Sequence, residues 1–312
     1  MKKLVAAVVQ SAPPAFDTDK TLEKLADLAS DAAGKKAQLA VFPEAFVGSY
    51  PKGLDFGMRL GMRTDEGRED FKRYFAAAIE LPGPELDKIG EIAKKTGLHM
   101  VVGAIEREGG TIYCTAVMFN ARGDYLGKHR KLMPTALERA VWGQGDGSTL
   151  NVYDTELGRL GAVICWENRM PLLRMTMFAK GIELYCVPTV DDRENWIPLM
   201  QTVAFEGRCF VLSACQFAKR SDFPDDYNCI QGNDPDGVLI NGGSVMVSPF
   251  GEILAGPEYG SETILTAELD LGDIARGKYD FDVTGHYARP DIFELKVNEA
   301  PMAVVSKAEE TD

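Results

Sequence analysis

Apolar positions along the chain recur with two different periods, and the switching between them outlines a fold. Residues 4–9 make a short apolar run of strand length. Residues 19–33 follow, with Leu22, Leu25, Ala29 and Ala32 at helical spacing and Gly34 as a stop signal. Residues 38–42 read as a second buried strand. The order strand, helix, strand predicts a parallel crossover, and it places Glu44 just past a strand's carboxyl end, where open α/β sheets bind ligands.

After a Gly-rich loop over 50–63, helices are predicted over 66–78 and 84–95, the second capped by Gly97. Strands over 100–105, 112–119 and around Tyr125 then follow in quick succession. Gly109-Gly110 and Arg122-Gly123-Asp124 punctuate them as hairpins, and the last strand delivers Lys131. A polar loop over 134–148 leads to a hairpin of residues 150–153 and 160–164, directly followed by Cys165. Helices over 172–179 and 196–207 alternate with strands over 182–187 and 209–214. Residues 221–242 read as a long loop, and strands over 244–247 and 263–269 complete the pattern. Beyond Lys278 no strong periodicity remains.

This alternation predicts an α/β protein with mixed sheets covered by helices. No repeat, linker or low-complexity tract divides it, so we expect one domain over 1–295 and a short tail over 296–312. With 45% hydrophobic and 26% charged residues in 312, the chain has ample core material.

The formal charge of -13 opposes binding to nucleic acid or anionic lipid through bulk electrostatics, while an uncharged small substrate would feel little of it. The run at 4–9 is too short for a secretory core, and no stretch approaches the roughly 20 apolar residues of a membrane span. A cytoplasmic location is therefore the expectation. Of the six cysteines, five read as small buried hydrophobes. There is no CxxC pair, and His99, His129 and His286 lie far apart, so neither a metal nor another cofactor is expected.

Cys165 ends an apolar strand and precedes the polar turn Trp166-Glu167-Asn168, a place where a nucleophile can be presented. On spacing alone it reads more readily as an inert buried thiol. Lys131 belongs to the basic cluster Lys128-His129-Arg130-Lys131, which is either a solvated hairpin face or a cation that stabilises developing charge. Glu44 is a lone carboxylate among apolar residues, costly to bury unless paired or used, and an N-cap or surface role is the alternative. Glu138, by itself, reads as a surface charge.

Taken together, Phe42-Pro43-Glu44-Ala45-Phe46, His129-Arg130-Lys131-Leu132-Met133-Pro134-Thr135 with Glu138-Arg139, and Gly161-Ala162-Val163-Ile164-Cys165-Trp166-Glu167-Asn168 closely resemble the nitrilase superfamily of carbon-nitrogen hydrolases. The motifs occur in the family's order, and the resemblance extends from Leu4 to about Phe293. Cys-Trp-Glu-Asn, Tyr50-Pro51-Lys52-Gly53 and Gly285-His286-Tyr287-Ala288-Arg289-Pro290 resemble the branch that acts on nitriles.

The resemblance implies a four-layer αββα sandwich with two mixed β-sheets, and hydrolysis of a small nitrile to the acid and ammonia through a covalent thioimidate and thioester. In it Cys165 is the nucleophile and Glu44 the general base. Lys131, with the Trp166 backbone N-H, stabilises the tetrahedral species, and Glu138 orients Lys131 and the water. His129 supports the site from outside. Tyr50, Trp166, Thr189 and Trp196 are the candidates for lining the pocket, with plain core packing as the other reading of each aromatic.

An amidase or carbamoylase with the same four residues is the alternative activity, and a catalytically silent binding or scaffold protein is the alternative from another class. A thiol redox sensor wants a nearby resolving cysteine, and none lies within twenty positions of Cys165. The family resemblance further implies a homodimer or higher homo-oligomer, for which Leu172, Met175 and Phe178 are the expected contact face.

Overall fold

A computed structural model of the protein describes residues 2–303 and Val305, so the expected tail over 296–312 falls partly outside the described residues. The first strand, β1 (Lys3–Gln10), shows how the layers arise. Its side chains alternate across the sheet, so Leu4, Ala6 and Val8 enter one buried cluster and Ala7 and Val9 another. The helix α1 (Thr18–Gly34) starts at Asp17, whose carboxylate accepts the Lys20 N–H, and presents Leu22, Leu25, Ala29 and Ala32 to that second cluster.

The remaining elements of the amino-terminal half are β2 (Leu39–Val41), α2 (Asp65–Ala77), β3 (Ile79–Glu80), α3 (Pro84–Thr96), β4 (His99–Glu108), β5 (Thr111–Phe119) and β6 (Tyr125–Arg130). Pro84 opens α3 and Gly97, at φ 69°, closes it in the left-handed region that a side chain would strain. The other half supplies β7 (Tyr153–Thr155), β8 (Gly158–Ala162), α4 (Pro171–Ala179), β9 (Leu184–Thr189), α5 (Trp196–Gly207) and β10 (Phe210–Cys215). It continues with β11 (Phe217–Lys219), β12 (Val238–Val247), β13 (Ile253–Tyr259), β14 (Thr263–Asp270) and α6 (Gly272–Asp280).

Two sheets form. In the first the order is β14-β1-β2-β4-β5-β6, with β3 beside β4; β1, β2 and β4 run parallel, and β14, β5 and β6 are antiparallel to their neighbours. In the second the order is β11-β12-β10-β9-β8-β7, with β13 beside β12 and the parallel core in β8, β9 and β10. One apolar cluster takes residues from both sheets, including Val8, Val41, Ile164, Cys186 and Leu212, and lies between them. Helices α1 and α3 cover the outer face of the first sheet, and α4 and α5 that of the second. The result is the expected αββα sandwich of two mixed sheets.

Several boundaries differ from the sequence reading. The strand expected at 150–153 is confined to Tyr153–Thr155, because the chain first makes a tight turn at Gly147–Thr149 and spends Leu150 on the core under α4. The loop expected over 221–242 ends earlier, since β12 begins at Val238 and Ile240 is buried against Phe223 and Tyr227. Strand β13 and helix α6 were not expected. Much of β13 is exposed or half-buried, which removes the strict apolar alternation that marks a strand.

Candidate active site

Three chain segments converge at one end of the inter-sheet core. Glu44 follows β2 on a bend in which Ala45 has φ 52°. The bend packs against Gly103 of β4, where any Cβ would lie 2.1 Å from the Pro43 carbonyl oxygen, so only glycine admits this approach. Gln216 holds the bend from the other sheet, its amide donating to the Glu44 backbone oxygen at 2.8 Å.

Lys131 leaves β6 fully buried. Its backbone N–H donates to the Cys114 carbonyl of β5 at 2.8 Å, and its ammonium lies 2.7 Å from Glu44 Oε1 and 2.8 Å from Glu138 Oε2. The Trp142 ring stands 5.3 Å from the same nitrogen. Glu138 also accepts the Thr135 N–H at 2.6 Å and the Tyr50 hydroxyl at 2.8 Å, so the residue that alone reads as a surface charge is a structural member of the cluster.

Cys165 stands at the start of a single tight turn, Cys165–Arg169, with φ 49°. That left-handed conformation is uncommon for a side chain other than glycine and marks a residue held by its surroundings. The Asn168 amide donates to the Cys165 carbonyl at 2.8 Å and to the Val163 carbonyl at 3.2 Å. The Thr189 hydroxyl lies 3.1 Å from Cys165 Sγ and donates to it, while accepting the Asp191 N–H.

The electrostatics follow from burying one ammonium between two carboxylates. Burial pushes the Glu44 carboxyl above its ordinary range, Lys131 pulls it back and Glu138 adds to the rise. Burial opposes the charge on Lys131, but the carboxylates of Glu44 and Glu138 outweigh it and carry its affinity for the proton well above the usual ammonium value. Burial, followed by the Glu44 charge, raises the Cys165 thiol, so the resting sulfur is protonated. Tyr50 is likewise raised by burial and by Glu138, and remains a phenol that donates.

A cavity of about 300 Å³ opens onto Cys165, lined by Tyr50, Glu138, Trp166, Asp191 and Arg193 among others. A neighbouring cavity of about 230 Å³ shares Tyr50, Lys52, Thr135 and Glu138 with it and ends on Leu54, Phe56 and Trp142. Trp166 is fixed at the mouth, its indole N–H donating to Asp191 Oδ2 at 2.7 Å and its ring flanked by the guanidinium groups of Arg193 and Arg169 at 4.5 and 4.9 Å. Tyr50 and Trp166 therefore line the pocket, and Thr189 reaches the sulfur from behind.

Trp196 does not line it. Its indole N–H donates to Ser213 Oγ at 3.0 Å, and its ring is buried in the cluster under α4 and α5 with Met200, Val203 and Val211. Its position at the first turn of α5 turns the side chain inward, against the outer face of the second sheet. Phe178 is also displaced from its expected place on a contact face, because it is buried against Tyr185 and Gly207. Among the described residues no group of three or more His, Cys, Asp or Glu has an arrangement that could hold a metal ion, and no helix is long and apolar enough to cross a membrane.

Two groups escaped the sequence reading. Glu167, wholly buried, accepts the Ile164 N–H at 2.8 Å and the Leu132 N–H, and contacts His129 Nε2 at 3.0 Å. One carboxylate thereby joins the residue after Lys131 to the residue before Cys165, with the His129 ring on the same carboxylate. A Glu two positions after a cysteine is the signal in the sequence, but two of its partners, His129 and Leu132, lie in or just after β6 of the other sheet. The second is Cys114, read as a small core hydrophobe, whose sulfur is 3.4 Å from Glu44 Oε1.

Comparison with known proteins agrees with this architecture. A family model described as carbon-nitrogen hydrolase matches residues 5–279. The chain is 53% identical over 315 aligned positions to Nitrilase 2 of Arabidopsis thaliana, covering 98% of this chain and 93% of the other. It is 54% identical to an aliphatic nitrilase of Sinorhizobium fredii, covering 99% and 100%. Among solved structures, the NitFhit protein of C. elegans superposes with a TM-score of 0.73 at 20% identity, covering 97% of this chain and 69% of that one, a likeness of fold. With the family model spanning most of its length and nitrilases more than half identical to it from end to end, the chain belongs to the carbon-nitrogen hydrolase family, in its nitrilase branch.

Proposed function

We propose that the protein is a nitrilase that converts a small organic nitrile and two waters into the carboxylic acid and ammonia, with Cys165 as nucleophile. The observation that carries the reading is the burial of the Lys131 ammonium between Glu44 and Glu138 beside a cavity that ends on the Cys165 sulfur. The resting thiol passes its proton to Glu44 as sulfur attacks the nitrile carbon. Glu44 returns that proton to the nitrile nitrogen, giving the thioimidate.

Water then adds to the thioimidate carbon, Glu44 passing one of its protons to the nitrogen, and the remaining hydroxyl proton follows through Glu44 to that nitrogen as the carbonyl forms and the C–N bond breaks. Ammonia leaves and a thioester remains. A second water, deprotonated by the same carboxylate, releases the acid, and the proton goes back to sulfur. Lys131, kept charged by its two carboxylate neighbours, faces the developing negative charge, together with the Trp166 backbone N–H. Glu138 holds Lys131 and the waters in line, and Tyr50 fixes Glu138.

The test is ammonia release by the purified protein from aliphatic, arylacetic and aromatic nitriles, with the matching amides and Cys165→Ala alongside. Ammonia from nitriles that vanishes in the variant supports the reading. Release from amides alone would move the activity to an amidase.

The same reading extends to assembly. Leu172 is 69% exposed at the start of α4, beside an apolar groove of Met175, Tyr287, Ile292 and Phe293. A second copy of this chain is the occupant that would bury that surface. Light scattering of the wild type and of Leu172→Glu would show it, with a smaller assembly for the variant. Six free cysteines fit a reducing compartment, the cytoplasm, as the place of action.

A further inference from the structure

The two oxygens of the Glu44 carboxylate are in unequal surroundings. Oε1 accepts from the Lys131 ammonium at 2.7 Å and lies 3.4 Å from Cys114 Sγ, an ordinary distance for a thiol that donates to oxygen. Oε2 is buried and has no hydrogen-bond partner among the described residues. A buried carboxylate oxygen without a donor is costly, and such atoms in a reaction centre await a proton or a reacting group.

Cys114 is well placed to create that asymmetry. It lies on β5, where Ile112, Cys114, Ala116 and Met118 face the inter-sheet core and the intervening Thr115 turns the other way to Glu106. Its carbonyl accepts the Lys131 N–H and its sulfur meets Glu44, so one residue touches both partners of the buried ion pair. Burial, with the charge of Glu44, raises the Cys114 thiol far above its ordinary value, and it is a permanent S–H donor and not a second nucleophile.

We propose that Cys114 is a positioning residue of the reaction: its S–H, with the Lys131 ammonium, occupies Oε1 of Glu44 and leaves Oε2 as the atom that takes the proton of Cys165 and of each water. The inference rests on Glu44 as the base. Without the S–H donor, the carboxylate loses part of what holds it ionised and is free to rotate, exchanging the roles of its oxygens.

The experiment measures kcat/KM against pH on a nitrile substrate for wild type, Cys114→Ala and Cys114→Ser, with Glu44→Gln as control and thermal midpoints for all. Cys114→Ala is expected to move the acid limb upward by about half a pH unit, because the lost donor had favoured the charged carboxylate. Cys114→Ser, which keeps a donor on the same carbon, should return the limb toward its wild-type position. An acid limb identical in wild type and Cys114→Ala, with only the thermal midpoint lowered, would reduce Cys114 to a core residue and overturn the proposal. Full activity in Glu44→Gln would instead remove the base itself, a separate failure.

Discussion

Lys131 and Glu44 form an ion pair at 2.7 Å with neither side chain exposed to solvent. A buried pair is weak evidence for stability, since desolvation offsets much of the attraction, but removing one partner leaves an uncompensated charge. Here a second carboxylate, Glu138, stands on the same ammonium. One cation between two acids leaves excess negative charge next to a thiol. Burial, together with this charge, keeps Cys165 protonated at rest, and in the proposed mechanism Glu44 receives its proton.

Cys165→Ala should abolish ammonia release while leaving the fold intact, because the change removes only sulfur and one hydrogen bond from Thr189. Circular dichroism and activity, measured together, check it. A nitrile-derived mass on wild-type protein that is missing from the variant would show the covalent intermediate directly. Retained turnover in the variant would sink the mechanism.

The raised Glu44 carboxyl sets the acid side of the pH profile. A base must be unprotonated, so kcat/KM should fall as pH drops through a value above the ordinary carboxylate range of about 4. Lys131, raised well beyond its usual value, produces no loss on the basic side. A profile flat down to pH 4 would contradict this assignment.

Glu167→Ala should damage both halves of the site at once. It strips acceptors from the Ile164 and Leu132 N–H groups and leaves His129 unpartnered on that side. Each buried donor left unsatisfied costs about 1–3 kcal/mol, so a thermal midpoint lowered by several degrees and a reduced kcat are expected. Loss of stability at unchanged kcat would mean that the link does not position Lys131 and Cys165.

Glu106 anchors β6 from beneath. Its buried carboxylate meets Lys128, the Arg130 guanidinium at 2.6 and 2.8 Å, and Thr115 at 3.0 Å. Burial pushes its carboxyl up, but the hydrogen bonds and charges of Arg130 and Lys128 win and hold it below the ordinary value. A depressed carboxylate stabilises the fold above its unfolded pKa and loses that contribution as pH falls through the folded one. Glu106→Ala should cost about 3 kcal/mol at neutral pH and weaken the acid dependence of stability, as read from urea unfolding at several pH values.

Trp196→Phe should leave KM near that of the wild type and lower stability, since the indole serves the core and Ser213 and not the pocket. Trp166→Phe, by contrast, removes the indole donor to Asp191 that fixes the ring at the mouth, and KM should rise. Kinetics on one nitrile, with thermal midpoints, separate the two tryptophans.

The sequence by itself determined the layers and the principal chemistry. The continuous apolar run of β1 and the helical stripe of α1 are local patterns: the first marks a strand buried on both faces, and the second decides which face of the helix is buried whatever lies opposite. Glu44, Lys131 and Cys165 stood out as candidates because each follows a strand within a motif resembling the nitrilase superfamily, whereas Glu138, which alone reads as a surface charge, was singled out only through that resemblance. Tertiary structure alone decided which of these segments meet. The Leu132 N–H and His129 ring contacts of Glu167, the approach of Cys114 to Glu44, and the contact of Trp196 with Ser213 all join residues from separate segments of the chain. A spacing rule describes neighbours on one element, whereas these partners are set by how strands, helices and sheets pack together and by the desolvation that makes a buried polar group find a partner.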